Sequence, residues 1–203
     1  MQDHPTTVVD LFERREAPLH RLADDAGAIA DTCHAMALRF HRGGTLRVFG
    51  NGAASTDAQH VSVEFVHPVI VGKRALPAVS LTADVATMTG IAYTTGLDEV
   101  FAHQLRQLGA APDIALGISV DGRCGNVLRG LTVARELGML TVALVGGDGG
   151  SIAATSAADH VLVAQSDDPR VVKEVHVTTY HILWELVHVI FEQPGVLTPE
   201  VVA

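Results

Sequence analysis

The chain has 203 residues, 48% of them hydrophobic, and a formal net charge of −9. This length and apolar content suffice for the core of one α/β domain, which we place over residues 1–203 because no change in composition marks a second domain. Nucleic acids and anionic membrane surfaces are bound by clustered Lys and Arg, so the acidic balance argues against both as partners.

Cysteine use and hydropathy predict a cytoplasmic protein. The two cysteines, Cys33 and Cys124, lie far apart in the sequence, which suits a reducing compartment better than a disulfide framework. No uncharged apolar run approaches the roughly 18 residues of a membrane span. The first residues also lack the basic start and apolar middle of a signal peptide.

Two helices are predicted to lead the chain, over 6–18 and 20–42, because apolar residues recur there at helical spacing. Residues 1–44 are expected to pack in an oligomer, ahead of an α/β core over 45–203. In this core, short β-branched runs alternate with helical stretches. The predicted strands are 46–50, 77–81, 113–118, 140–145 and 159–164, and the predicted helices are 53–66, 84–92, 98–108, 124–137 and 170–192.

This alternation is typical of a parallel sheet with helices on both faces. Ligands in such sheets bind beyond the carboxyl ends of the strands, so the loops 50–55, 82–84 and 119–124 are expected to converge. The glycine-rich stretch 146–150 is interpreted as a flexible connector, although such turns also cradle anions.

A Gly50-Asn51-Gly52 turn joins the first strand to the first core helix. We expect both glycines to adopt positive φ values and to let the backbone approach a ligand, toward which the helix points its free N–H groups. Further along this helix, His60 and Glu64 are four residues apart and therefore project side by side.

The late helix is apolar all round its circumference, which predicts burial between subunits and hence a homo-oligomer. It also carries Glu174-Val175-His176 and His181. Together with the Gly-Asn-Gly turn, the His60/Glu64 helix, the Gly117-Ile118-Ser119 loop and the Gly149-Gly150 turn, these features resemble the sugar isomerase (SIS) domain family, specifically its phosphoheptose isomerases.

The resemblance covers nearly the whole chain and implies a flavodoxin-like, five-stranded parallel sheet flanked by helices. It also implies aldose–ketose isomerisation of a sugar phosphate by a homotetramer with active sites between subunits; a dimer is the other oligomer considered. Carried over by motif, Glu64 is the carbon base and His181 the acid/base group, while His60, Glu64 and His181 bind zinc in metal-bearing members. Isomerisation through an enediol needs such a base and such an acid.

Lys173 stands where the family has a glutamine metal ligand, and an ammonium offers no lone pair. Two interpretations follow. Either His60, Glu64 and His181 suffice for an open zinc site, or the Lys173 ammonium pairs with Glu64 and replaces the charge of the metal.

The phosphate-binding loop also departs from the family pattern, since residues 119–124 read Ser-Val-Asp-Gly-Arg-Cys where the family has Ser-Thr-Ser-Gly-Asn-Ser. Asp121 either caps the following helix or faces a hydroxyl or amine of the ligand, and Arg123 is expected to compensate its charge and to bind phosphate. The candidate ligand-binding residues are Asn51, Gly52, Ser55, Ser119, Asp121, Arg123 and Lys173.

The function predicted from these residues is a sugar-phosphate aldose–ketose isomerase acting on a sugar or sugar phosphate. The alternative is a non-catalytic SIS-fold protein that binds a carbohydrate derivative and acts as a regulator or protein adaptor, which the changed pocket would also fit.

Overall fold

The computed structural model describes residues 7–193 and 195–197, so the ends of the predicted domain and residue 6 of the first predicted helix lie outside the described residues. The strands are β1 (Leu46–Gly50), β2 (Ala78–Ser80), β3 (Ile114–Ser119), β4 (Leu140–Gly146) and β5 (His160–Ala164). The helices are α1 (Val8–Asp24), α2 (Ala26–His41), α3 (Ala53–Val66), α4 (Val85–Thr95), α5 (Val100–Leu108), α6 (Gly125–Glu136), α7 (Gly150–Ala154) and α8 (Pro169–Glu192), with a 3-10 turn over Leu97–Glu99.

The strands form one five-stranded, fully parallel sheet in the order β2-β1-β3-β4-β5. This is the flavodoxin-like order, so the predicted fold class is confirmed. Because the chain goes from β1 outward to β2 and then returns to β3, a topological switch point lies between β1 and β3. Gly50 pairs with Ile118 in the register, which sets the turn after β1 beside the loop after β3.

Helices cover both faces of the sheet and bury β3 and β4 throughout. One apolar cluster joins the sheet to α2, α3 and α8 and includes Phe40 stacked on Phe65. The cluster on the other face joins the sheet to α5 and α6 around Phe49 and Phe101. Burial on both faces explains why the strands read as continuous apolar runs.

The predicted break between the first two helices is misplaced. Helix α1 continues through Pro18, which is buried, to Asp24, and the break comes at Asp25. Its start is fixed by a capping box, in which Thr7 and Asp10 bond each other's backbone N–H groups. The α7 helix was missed, because it lies just after the glycine-rich stretch interpreted as a connector.

The apolar character of α8, from which burial between subunits was predicted, is largely accounted for by packing within the chain. Its apolar residues, Val175, Leu183 and Val187 among them, are buried inside the single chain, against α2, α3 and the sheet. The most exposed apolar side chains lie outside α8, for example at Val69 and Val71. Among the described residues, no helix combines the length and the apolar run that crossing a bilayer requires.

Candidate active site

The turn after β1 starts α3 and sets its direction. Gly52 has a φ of 56°, which confirms the predicted positive value, and it stands at the N-cap of α3. Gly50 does not use a positive φ, contrary to the prediction, but a Cβ there would lie 2.7 Å from the Ile118 carbonyl oxygen and 2.8 Å from the Ala54 Cβ. Glycine is therefore required at Gly50 by close packing between β1, β3 and α3.

His60 and Glu64 on α3 meet His181 on α8. The His60 Nε2 lies 3.2 Å from the Glu64 Oε1, and one donor atom from each of the three residues lies within 4.8 Å of the others. The His60 and His181 rings stand nearly perpendicular, at 83°, with centroids 5.2 Å apart. Glu64 is mostly buried, whereas His181 is exposed, so the group opens to solvent on one side.

Two α8 side chains that the sequence analysis did not single out support this group from inside. The Tyr180 hydroxyl lies 2.7 Å from the His60 Nδ1, and the Trp184 indole N–H donates to the Glu64 backbone carbonyl at 2.8 Å. Burial, aided by the carboxylates of Asp57 and Glu64, raises the pKa of the Tyr180 phenol, which therefore stays neutral. The only sequence signal for these roles was position along α8. Tyr180 directly precedes His181, and Trp184 follows Tyr180 by about one turn.

Lys173 does not pair with Glu64, contrary to the prediction. Its ammonium donates to the buried Asp57 carboxylate at 2.6 Å and to the Ala53 carbonyl at 3.2 Å. The reason is that α3 and α8 lie side by side in parallel. The start of α8 therefore meets the start of α3, whereas Glu64 lies two turns further along and meets Trp184.

His176 lies one turn after Lys173 on α8, where its ring meets the Val145 backbone of β4 and is near the charges of Asp57 and Lys173. The side chain is 3% exposed, and its Nε2 has no hydrogen-bond partner in the part of the chain that the structure describes. Burial lowers the pKa of His176 and favours the neutral ring. Its burial makes His176 a packing residue rather than a member of the solvent-accessible group.

At the switch point, the loops 50–55, 82–84 and 119–124 do converge. The Asn51 and Asn126 amides bond each other in both directions, at 2.7 and 3.0 Å, and so tie the turn after β1 to the first turn of α6. The Thr82 hydroxyl reaches the Ser55 carbonyl, and the Ser55 hydroxyl bonds the Gly52 carbonyl. Asn126, which is almost fully buried, was missed because its role depends on this contact.

Asp121 shapes its own loop. Its carboxylate accepts from the Arg123 backbone N–H at 2.9 Å and from the Ser119 hydroxyl at 3.3 Å. Asp121 does not cap α6, because the N-cap is Cys124. The Arg123 guanidinium does not compensate Asp121 either, since it bonds both oxygens of Asp148 at 2.8 and 2.9 Å.

The glycine-rich stretch 146–150 is a packing element rather than a simple connector. Gly122 has φ of +67°, and a Cβ there would lie 2.0 Å from the Gly149 carbonyl oxygen. The Ile152 N–H donates to the Gly122 carbonyl at 3.0 Å, which fixes the loop after β3 against the start of α7.

The SIS domain family model matches residues 12–146 of this chain. The chain is 36% identical over 204 residues to the phosphoheptose isomerase of Desulfovibrio desulfuricans, an alignment covering 98% of this chain and 95% of that protein. The chain belongs to the SIS domain family. A second relative, the phosphoheptose isomerase of Pelobacter propionicus, is 41% identical over 177 residues, covering 87% of this chain and 93% of that protein.

A solved SIS-fold structure agrees with this assignment. The phosphoheptose isomerase of Francisella tularensis superposes with a TM-score of 0.84 at 30% identity, covering 90% of this chain and 99% of that chain. The predictions of a SIS fold and of an isomerase related to the phosphoheptose isomerases are thereby confirmed at the level of the family.

The SIS-family zinc site can be tested against the residues present here. Two imidazoles and one carboxylate form a donor set suited to an open catalytic zinc site, and His60, Glu64 and His181 supply it. Lys173, whose ammonium would repel a metal, is bonded to Asp57 instead. The Tyr180 hydroxyl bonds the second ring nitrogen of His60, as the outer partners of metal-bound histidines do. The residues therefore fit the ion.

Proposed function

We propose that this SIS-domain protein is a sugar-phosphate aldose–ketose isomerase acting on a heptose phosphate through an enediol. The observation that carries the proposal is the meeting of Glu64 and His181, from distant parts of the chain, at one solvent-accessible point. The relatives named phosphoheptose isomerase support the substrate class.

In this proposal, Glu64 removes the proton from the carbon next to the carbonyl and returns it to the neighbouring carbon. The Glu64 side chain is 13% exposed and is held in place by His60 and by the Trp184 bond to the Glu64 backbone. His181, which is exposed, moves the second proton between the two substrate oxygens. The general base and general acid that the reaction needs are therefore on adjacent helices.

A zinc ion, when bound, would be held by His60, Glu64 and His181 and would polarise the substrate carbonyl. A glutamate has two carboxylate oxygens, so one oxygen can bind a cation while the other takes the substrate proton. In this proposal Lys173 does not replace the charge of the metal, because its ammonium is engaged by Asp57.

We place the phosphate end of the substrate at the β1/β3 switch point, beside Asn51, Gly52, Ser55 and Ser119. The Ala54 and Ser55 N–H groups donate to the Asn51 and Gly52 carbonyls, so the positive end of the α3 helix dipole is what favours an anion there. Asp121 disfavours one, and Arg123 contributes to phosphate binding only after leaving Asp148. Binding of the phosphate and breaking of this surface pair are therefore coupled.

We also propose that the protein is a cytoplasmic homo-oligomer. Cys33 and Cys124 are free, and burial raises the pKa of the Cys33 thiol to about 12, so this cysteine stays an unreactive core residue. Exposed apolar side chains on α1, such as Val8 and Phe12, and on residues 69–71 favour an interface there.

The test is turnover of sedoheptulose 7-phosphate and of unphosphorylated sedoheptulose by purified protein. We expect turnover of the phosphorylated sugar, with the rate reduced at least 100-fold in His181→Asn. The matched control is His103→Asn, at an exposed histidine of α5. Absence of turnover with either sugar, combined with a ligand-induced rise in melting temperature, would instead favour the regulator or adaptor alternative.

A further inference from the structure

Tyr180 is buried directly beneath the two imidazoles of the candidate site. It is 1% exposed, and its ring meets the edges of His60 and His181 at centroid distances of 5.4 and 4.9 Å. A buried tyrosine hydroxyl needs a hydrogen-bond partner, and the described residues supply the His60 Nδ1 at 2.7 Å.

This single contact decides which edge of the His60 ring faces the site. With Nδ1 bonded to Tyr180, the opposite nitrogen, Nε2, points at Glu64. Turning the ring over would exchange nitrogen and carbon positions and break both hydrogen bonds at once. The phenol and the carboxylate therefore hold the ring from two sides.

A hydroxyl can both donate and accept, which distinguishes tyrosine from the other groups around His60. When Nε2 carries the proton and donates to Glu64, Nδ1 is a lone pair that accepts from the Tyr180 O–H. When Nε2 gives up its proton to serve as a ligand, Nδ1 carries the proton and donates to the Tyr180 oxygen. The same contact fits both tautomers of His60 without movement of the ring.

We propose that Tyr180 is a positioning residue that holds the His60 ring with Nε2 toward Glu64 and His181. In the metal-free protein His60 is then the Nε2–H tautomer. Once Nε2 binds a divalent cation, His60 is the Nδ1–H tautomer. The inference rests on the proposed function for the identity of the site, but its test reads the tautomer directly. Loss of such an outer partner weakens metal binding by about 10–100-fold.

The experiment compares Tyr180→Phe with Tyr93→Phe. Tyr93 is the chain's other tyrosine and is 92% exposed. The control therefore makes the same chemical change, loss of a phenolic hydroxyl, at the protein surface. Histidine ring nitrogens are labelled with ¹⁵N and followed by NMR at one fixed alkaline pH, with the His60 signals assigned from His60→Gln. Zinc affinity is measured by competition with a chromophoric chelator.

We expect His60 of the metal-free wild type and of Tyr93→Phe to be the Nε2–H tautomer and to change to Nδ1–H on addition of zinc. In Tyr180→Phe we expect mixed tautomers and zinc affinity lower by about 10–100-fold. A wild type whose His60 is mainly Nδ1–H without metal would overturn the inference, as would a Tyr180→Phe variant matching Tyr93→Phe in both readouts. The wild-type spectrum tests the predicted His60 tautomers even if Tyr180→Phe does not fold. A failure of turnover alone would reject the proposed function but not the role of Tyr180.

Discussion

The ion pair between Lys173 and Asp57 gives the sharpest test of the α3–α8 contact. The Asp57 side chain is 6% exposed and that of Lys173 39%, with a separation of 2.6 Å. Removing one partner of a fully buried pair costs about 3–5 kcal/mol, because a charge is left buried without compensation. Water reaches this pair from the lysine side, so we expect Lys173→Met to lower the free energy of unfolding by about 2–3 kcal/mol.

The chain provides its own control, since it contains only one other lysine. Lys73 pairs with Glu192 at 2.5 Å, and the glutamate side chain is 58% exposed, so Lys73→Met should cost at most about 1 kcal/mol. Urea unfolding is followed by the fluorescence of Trp184, the single tryptophan, which bonds α3 directly. Adding Asp57→Asn to Lys173→Met should recover most of the lost stability, because no buried charge then remains.

Two results would refute this reasoning. The first is that Lys173→Met lowers the free energy of unfolding by no more than Lys73→Met does. The second is that adding Asp57→Asn to Lys173→Met lowers it further, which would show that Asp57 is not left as an uncompensated buried charge. Loss of turnover in Lys173→Met at unchanged unfolding free energy would instead restore the rejected interpretation, in which the lysine replaces the charge of a metal.

Two further predictions concern Gly122 and His176. Gly122→Ala should lower the free energy of unfolding by at least about 2 kcal/mol, because a Cβ there would clash with the Gly149 carbonyl and because the backbone φ is positive. The control is Gly27→Ala, at a helical position with open space, which should be neutral or stabilising in the same thermal melts. For His176, the folded pKa lies below the ordinary 6.5, so the unfolded chain takes up the proton first and stability should fall as pH drops below about 6.5. His176→Gln, which keeps a donor, should remove this component from unfolding curves measured at several pH values, and an unchanged pH dependence would contradict the assignment.

Local patterns predicted most of the fold. Buried β-branched runs alternating with helices specify a parallel sheet with covered faces, and β1 and α3 lie at their predicted positions. The break between α1 and α2 was misplaced because apolar residues recur at helical spacing on both sides of Asp25, so spacing alone does not mark where α1 ends. The short α7 follows a run of glycines and has too few residues to show a period.

The candidate site was predictable only where it depends on one helix or on the family pattern. His60 and Glu64 follow from spacing within α3, whereas His181 was placed by resemblance alone. The bonds of Lys173 and Tyr180 depend on how α3 lies against α8, which the spacing along either helix does not determine. The same limit explains the missed pairing of Asn51 with Asn126, which requires the alignment of β1 with β3.

The most direct test of the proposed chemistry is the entry of solvent deuterium at C1 of sedoheptulose 7-phosphate, the hydroxymethyl carbon next to the carbonyl. In D₂O, wild type and Glu185→Gln, whose exposed glutamate lies on α8 outside the group, should incorporate deuterium at equal rates. In Glu64→Gln we expect incorporation to fall by at least about 100-fold, because the amide cannot accept the carbon proton. Incorporation by Glu64→Gln at the wild-type rate would contradict the assignment of Glu64 as the base and, with it, the proposed site.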